Sequence, residues 1–546
     1  MQFKFASLFF ALFVASCVAV AEQPQNTVWR IGKFDRSSAE FADTSPQQPV
    51  TFVIDKDRPD KNWYGYAPAA FTTGHSDPSS APRTIQFSLA AKPASAYHLV
   101  VSLLIEHSSV PALRVSINGR TGTFYLHPEL DYSMGDMTAA FFSVYAHATV
   151  EFDFPGNYLH EGTNSIALQA VATTDKGVPD AGFNYDAIEL SQLPSVSADL
   201  AAYVESTIFY KRHENSLAEQ VDVFVRYGER PRSGEVDLEV AGHHYTYSLH
   251  ADQDFGEKRI PIAVPEFQAN TPASLTLSLN GQSVHFSQTV QPQKKWTLFL
   301  VPHVHLDVGY SDYQAKVAAI QSRLLDEAMD LTAKHPSFRF STDGEWNLEQ
   351  YLKTRTPQEK QRVIQAIQRE QLYIPAQYSN LLTGFPTAET LIRSLYPSAN
   401  FSRVHNTPLN YANITDVPSY SWSYPSVLAA AGIQYLLAGS NNDRAPVLLQ
   451  GHLNENSPMY WEGPDGKKVL FWYSRHYMQM QFLFGLPPLL ETGEEILPIF
   501  LQMYQHTNDH AHATILFGTQ VENTDLFPQQ AELADQWNAQ YAYPHV

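Results

Sequence analysis

In the stretch VPHVHLDVGY (Val301–Tyr310), His303, His305 and Asp307 fall at alternate positions just after the apolar run WTLFL (Trp296–Leu300). An extended segment has period two, so this spacing presents all three side chains on one side. Neutral imidazole nitrogen and carboxylate oxygen are both good zinc donors. The same residues would equally serve as hydrogen-bonding groups at a strand end, so the surrounding elements decide between the two readings.

Those elements are legible from periodicity. From Trp296 on, strand-like and helical segments alternate. SDYQAKVAAIQSRLLDEAMDLTAKHP carries Val317, Ile320, Leu324, Ala328 and Leu331 on one helical stripe. FRFSTDGEW reads as a short strand. TPQEKQRVIQAIQRE opens with Thr356, Pro357 and Glu359, a capping box with proline at the first helical position. QLYIPAQ, the helix YPSVLAAAG ended by Gly432, and the strand IQYLLAG follow. This alternation predicts a parallel sheet flanked by helices, with chemistry at the carboxyl ends of its strands.

The first half has a different texture. Residues 27–192 read as one β-sandwich of jelly-roll type, with YHLVVSLLIEHS as an apolar strand and a hairpin at Asn118-Gly119. Residues 197–292 read as a second, smaller sandwich, with a hairpin at Asn280-Gly281. The α/β region then occupies 295–546. The fold class expected is therefore multidomain: two β-sandwiches, then a parallel β/α barrel-like domain.

The 546 residues carry 36 Lys+Arg against 56 Asp+Glu, a net charge of −20, which leaves no electrostatic footprint for nucleic acid or an anionic lipid surface. Residues 1–21 read as a signal peptide: Lys4, an apolar run from Phe5 to Val14, and Ala19-Val20-Ala21 before Glu22. The only cysteine, Cys17, lies inside it, so disulfide and thiolate chemistry are not expected. VASC is also a lipoprotein-type pattern, which would anchor Cys17 to lipid. The protein is expected outside the cytoplasm: secreted, periplasmic or lipid-anchored. No other apolar run is long enough to span a membrane.

Two family resemblances sharpen the reading. VWRIGKFDRSSAEF, VSINGR, HEGTNSIAL and FNYDAIEL together resemble the carbohydrate-binding jelly-roll domain of polysaccharide lyase family 4, the rhamnogalacturonan lyases. That implies sugar binding and not lyase chemistry, because the lyase domain has no counterpart here. PHVHLDVGYSDYQ resembles the opening motif of glycoside hydrolase family 38, the zinc-dependent α-mannosidases. STDGEWNLEQYL, FPTAETLIRSL, ITDVPSYSWSYPSVLAAAGIQYLLAG and YWEGPDGKKVLFWYSRHY continue the resemblance in order over about 250 residues. It implies that His305 and Asp307 bind zinc, with His303 one strand-step earlier. It also implies retaining glycoside hydrolysis through a nucleophilic carboxylate and a second, acidic carboxyl.

The sequence departs from that pattern at two places. The family's aspartate after the third strand, both zinc ligand and nucleophile, has no counterpart in YIPAQYSNLLTGFPTAET; Asn380 falls nearest. An asparagine carbonyl ligates zinc but forms no ordinary glycosyl ester. Asp416 in ITDVPSYSW is then a candidate site carboxylate, or else holds the loop before Pro418. ILFGTQVENTDLF resembles the segment supplying the general acid, with Glu522 preferred over Asp525. Trp422, Trp461 and Tyr477 are candidate stacking faces for sugar rings, alongside Trp346 and Trp472, although such aromatics also build cores. The second departure is the end of the chain, expected to be a truncation: the family's last zinc-ligating histidine lies in a later region. His452, His476, His506, His510 and His512 are substitutes that no spacing requires. The expected function is a zinc-dependent glycosidase of α-mannosidase type acting on a carbohydrate. The alternatives are a non-catalytic carbohydrate-binding protein with a degenerate barrel, or another metal hydrolase.

Overall fold

The computed structural model describes residues 26–43, 48–69, 78–105, 109–130, 146–173, 181–195, 200–213, 216–441, 453, 456–507, 512–518 and 523–546. The signal-peptide reading and Cys17 lie outside these residues, as do Glu522, His452 and His510.

The first β region is a two-sheet sandwich. One sheet runs in the order Asn26–Gly32, Gly182–Leu193, Ala96–Ile105, Ala146–Pro155 and Glu129–Leu130, with Tyr66–Pro68 beside Gly182–Leu193. Alternate residues of Arg83–Leu89, Ala112–Ile117 and Ala96–Ile105 point inward, and Ile85, Val115, Ile117, Leu99, Val101 and Leu103 are fully buried. Asn118 and Gly119 both have positive φ (46° and 87°), the signature of a type I′ turn, and they join Ala112–Ile117 to Arg120–Tyr125 as expected. The Asn280-Gly281 turn repeats this with φ of 51° and 85°.

The two β regions are not separate sheets. Strands of the second region, Leu200–His213, Ser216–Tyr227 and Phe255–Pro265, continue the other sheet of the first through a short parallel pairing, Phe255 opposite Gly122 and Gly256 opposite Thr123. Gly256 sits at φ 110°, and a Cβ there would lie 2.6 Å from the Thr123 carbonyl oxygen, so the joint requires glycine. Periodicity reads each strand but not which sheet it joins, which is why the junction was not legible.

The third region alternates strand and helix. Thr297–Val301 is parallel to Ala513–Phe517; Phe340–Ser341 is parallel to Leu372–Tyr373; Tyr411–Asp416, Tyr435–Ser440 and Lys468–Ser474 are successively parallel. Backbone bonds join these sets: Ser341 N–H to Pro302 O at 3.0 Å and Ala376 N–H to Tyr411 O at 2.9 Å. On the other side, Met480 N–H reaches Gly518 O at 2.8 Å, linking the segment after Lys468–Ser474 to the segment after Ala513–Phe517. Among the described residues these seven strands, parallel within each set, form a barrel-like ring.

The helix Gln314–Lys334 buries Val317, Leu324, Ala328 and Leu331 of the expected stripe, and Ile320 is half-buried. Pro357–Gln368 starts with the reciprocal capping box of Thr356 and Glu359. A continuous buried cluster runs from the first sandwich through Phe209 to Trp296, Leu298, Leu516 and Trp537, so the barrel is seated on the β region through apolar contact.

Candidate active site

Four of the barrel strands deliver polar side chains to one end. After Thr297–Val301 come His303, His305 and Asp307. After Phe340–Ser341 comes Asp343. Gln377 and Asn380 follow Leu372–Tyr373, and Asn413 and Thr415 stand on Tyr411–Asp416.

Asp343 is the hub. It is fully buried, and its Oδ2 lies 2.7 Å from His305 Nδ1. The same oxygen accepts from the Leu306 N–H at 3.0 Å and the Asn380 Nδ2 at 2.9 Å. The Thr415 hydroxyl lies 2.6 Å from Oδ1, and Asn413 Nδ2 lies 3.3 Å from it. Burial raises a carboxyl's pKa, but here the neighbouring His305 and the hydrogen bonds outweigh it and hold Asp343 down to about 2. Burial likewise works against a charged His305, and the Asp343 carboxylate more than offsets it, raising the pKa to about 10. At neutral pH the ring is therefore an imidazolium, its Nδ1–H on Asp343 and its Nε2 side turned to Asp307, so a metal at Nε2 would take the place of that proton.

That face meets Asp307. His305 Nε2 and Asp307 Oδ1 stand 3.6 Å apart, too far for a hydrogen bond, and the Asp307 side chain keeps about a fifth of its surface open (18%). Two donors on a tetrahedral zinc, each at about 2.0–2.2 Å, stand about 3.4 Å apart. A carboxylate behind a histidine whose other nitrogen faces a second donor is the usual support of a metal-binding imidazole. His305 and Asp307 thus fit a zinc ion as two of its ligands. Among the described residues, no group of three or more His, Cys, Asp or Glu converges on one point, so a third protein ligand is not found there.

His303 is packed as a core histidine. Its ring is fully buried and stacks on Phe517, centroids 4.4 Å apart. Burial lowers its pKa to about 4, so it is neutral. The chain is strand only to Val301, and past Pro302 the period-two rule no longer applies. Gly518, at φ 76°, lets the Tyr477 carbonyl and the His303 ring close over the last strand; a Cβ there would lie 1.7 Å from Tyr477 O.

Asn380 faces inward. Its Nδ2 bonds Asp343 and Thr415 (2.6 Å), and its Oδ1 accepts the Thr415 N–H at 3.0 Å. Both Nδ2 donors are thus spent on Asp343 and Thr415, and Oδ1 holds the Thr415 N–H with one of its two lone pairs. Asp416 sits at φ 63° with its carbonyl accepting the Asn441 N–H at 2.8 Å. Asp525 forms a surface ion pair with Arg323, its side chain 64% exposed. That contact engages the Asp525 carboxylate with a cation outside the Asp343 network.

Tyr477 is buried edge-on to His305, centroids 4.8 Å apart, so it packs the imidazole rather than presenting a free face. Trp422 is largely exposed, with its Nε1 donating to Glu462 O at 2.9 Å. Trp461 packs on Phe471 and lines an aromatic cavity of about 190 Å³ with Tyr420 and Tyr473. His476 is buried and driven down to about 3 by desolvation, then by the nearby His305. His512 is exposed.

Sequence reasoning missed Asp343, Thr415 and Asn413. Asp343 stands at the carboxyl end of a predicted strand, in FRFSTDGEW, and that position alone marked it.

Two family models match separate parts of the chain. Residues 295–546 match the family model for the Glycosyl hydrolases family 38 N-terminal domain, and residues 27–190 match Polysaccharide lyase family 4, domain III, a carbohydrate-binding-module-like domain. No curated protein matches the chain. Among solved structures, a glycosyl hydrolase family 38 protein from Enterococcus faecalis is 20% identical over 46% of this chain and 26% of its own, with a TM-score of 0.32. An α-mannosidase from Enterococcus faecalis V583 is 18% identical over 45% of this chain and 27% of its own, with a TM-score of 0.36. A GH2 β-galacturonidase from Eisenbergiella tayi is 9% identical over 85% of this chain and 90% of its own, with a TM-score of 0.20. The chain spans about a quarter of the length of the first two.

Proposed function

From the match of residues 295–546 to the family 38 N-terminal domain, we propose that the protein is a secreted zinc-dependent glycoside hydrolase of α-mannosidase type, acting on glycans with retention. The match of residues 27–190 supports a carbohydrate-binding role for the β region. The observation that carries the reading is the Asp343–His305–Asp307 arrangement, in which one buried carboxylate orients an imidazole toward a second, partly open carboxylate.

His305 Nε2 and Asp307 would hold the zinc, which when bound supplies Lewis acidity and a grip on sugar hydroxyls. Asp343 keeps one His305 proton on Nδ1, so zinc at Nε2 would displace only the second proton of the imidazolium. Asn380, Thr415 and the Leu306 N–H hold Asp343 in place. Tyr477 packs the His305 ring and keeps water from its flank. Glu522 is the proposed proton donor to the leaving oxygen.

Asn380 favours a second reading. It occupies the position nearest to the family's nucleophile and its amide is bound inward, which supports a carbohydrate-binding protein without turnover.

One experiment separates the two. Zinc content is measured on the purified protein together with nitrophenol release from 4-nitrophenyl α-mannoside. The enzyme reading expects about one zinc per chain and turnover, both lost in His305→Ala and Asp307→Ala, with activity down at least about 100-fold. Sugar binding without turnover selects the second reading. Unchanged zinc and activity in both variants would remove the metal role altogether.

A further inference from the structure

Asn523 joins the loop after the last barrel strand to the loop after the first. Its backbone N–H donates to the His305 carbonyl at 3.0 Å. Its side-chain Nδ2 donates to the Asp307 carbonyl at 2.9 Å and to the Ser311 hydroxyl at 2.6 Å. One residue thus grips His305, Asp307 and Ser311 at once.

The side chain is itself oriented by a buried chain of amides. Gln321 Nε2 donates to Asn523 Oδ1 at 2.9 Å, and Asn347 Nδ2 donates to Gln321 Oε1 at 2.6 Å. Gln321 and Asn347 are 1% and 2% exposed, on the helices Gln314–Lys334 and Glu345–Thr354. An Asn side chain has one acceptor and two N–H donors, and it can turn end for end. The Gln321 donor removes that freedom: with Oδ1 engaged, Nδ2 must face Asp307 and Ser311. The Asn523 backbone is left-handed, φ 44°, a conformation that Asn and Asp tolerate better than other side chains. Residue type, backbone and relay agree on one orientation.

We propose that Asn523 is a positioning residue: it sets the placement of the His305–Asp307 pair, and the Asn347–Gln321 relay sets the placement of Asn523. The metal part of this statement rests on the reading given under Proposed function; the loop-holding part does not. Because backbone carbonyls of the pair are held, rather than their donor atoms, Asn523 touches neither sugar nor metal and acts only through the two residues it anchors.

The test uses the full chain and two variants. Asn523→Asp keeps size and left-handed tolerance but removes the Nδ2 donors. Gln321→Met keeps volume but breaks the relay. Hydrogen exchange by mass spectrometry reads residues 304–312 without metal or substrate. Asn523→Asp should speed exchange there at least tenfold, and Gln321→Met by a few-fold, with Ala96–Ile105 unchanged in both. Equilibrium dialysis with zinc alone should show affinity about 10–100-fold weaker in Asn523→Asp. Unchanged exchange at 304–312 in Asn523→Asp overturns the proposal. Faster exchange with wild-type zinc affinity also overturns its metal part, leaving a loop tether only. A wild-type protein that binds no zinc, but whose loop loosens in the variant, sinks the zinc reading and keeps the tether.

Discussion

The β half and the barrel half both bury charged groups, and they close them off in different ways. In the β half Glu257 and Asp222 find their partners on adjacent strands, and Asp186 on an adjacent strand and a nearby turn. Glu257 accepts from Arg226 at 2.7 and 3.0 Å and from the Tyr125 N–H at 2.9 Å. Asp222 meets Arg259 at 2.7 Å. Asp186 accepts from the Ser102 hydroxyl at 2.7 Å and from the Asp35 and Ser37 N–H groups at 3.2 Å. These carboxylates seal turns and sheet joints and turn no donor outward. In the barrel, Asp343, itself after the second strand, draws on the segments after the first and third strands and on the fourth strand, and the imidazole it holds faces the partly open Asp307. A polar network that ends on an outward donor pair is built to hold something further; one that ends on itself is built to hold the fold.

Replacing each hub should separate the two kinds. Asp343→Ala removes the acceptor shared by His305, Leu306 N–H, Asn380 and Thr415. Breaking a buried, hydrogen-bonded ion pair costs about 3–5 kcal/mol. Zinc affinity should fall about 10–100-fold as well, because the His305 ring loses its orientation. Urea denaturation and zinc dialysis on one preparation measure both. A large loss of stability with intact zinc binding would place Asp343 with the structural carboxylates of the β half.

The converse variant lies in the sandwich core. Leu103 is fully buried on Ala96–Ile105, inside the apolar cluster. Leu103→Ala should cost about 2–4 kcal/mol through lost transfer energy and the cavity left behind. Zinc binding and the exchange of residues 304–312 should not move. If they do, the apolar contact through Phe209 and Trp296 couples the halves, and the division drawn between them is too sharp.

How much of this was legible from the sequence follows the same division. Strands and turns of the β half are written in local signals, such as the Asn118-Gly119 pair and period-two alternation, and these fold as read. The sheet that joins the two β regions is not, because a two-residue parallel pairing at Phe255 and Gly256 leaves no periodic trace. In the barrel, the Thr356 capping box and the stripe of Gln314–Lys334 were visible. The pairing of His305 with Asp307 was visible as a motif, but its support was not. Asp343, Thr415 and Asn523 come from separate stretches of chain, and only the closure of the barrel brings them together. The stacking of His303 on Phe517 was not visible either, because Phe517 lies on the last barrel strand, far along the chain.

The smallest effect expected lies where the halves meet. Glu219 is fully buried on Ser216–Tyr227, and its Oε1 accepts the Gln293 N–H of the linker into the barrel at 3.2 Å. Tyr210 and Lys295 face it from the neighbouring strand and the linker, and Glu266 adds a like charge. Tyr210 also donates to Gln293 O at 2.6 Å, and Lys295 pairs with Glu266. Burial, the dominant influence, raises the Glu219 pKa from 4.5 to about 7, against the hydrogen bonds and Lys295. A folded-state pKa above the unfolded value means that the folded protein holds the extra proton. Its contribution is present in full below about pH 4.5 and is lost as pH rises through about 7. Glu219→Gln keeps the neutral shape and removes the titration. The variant should match wild type near pH 4.5 and exceed it by about 2 °C in Tm at pH 8, read by thermal melts across that range. A constant difference at all pH values would mean that Glu219 stays ionised, making it one more self-contained carboxylate of the β half instead of a proton-sensitive joint to the barrel.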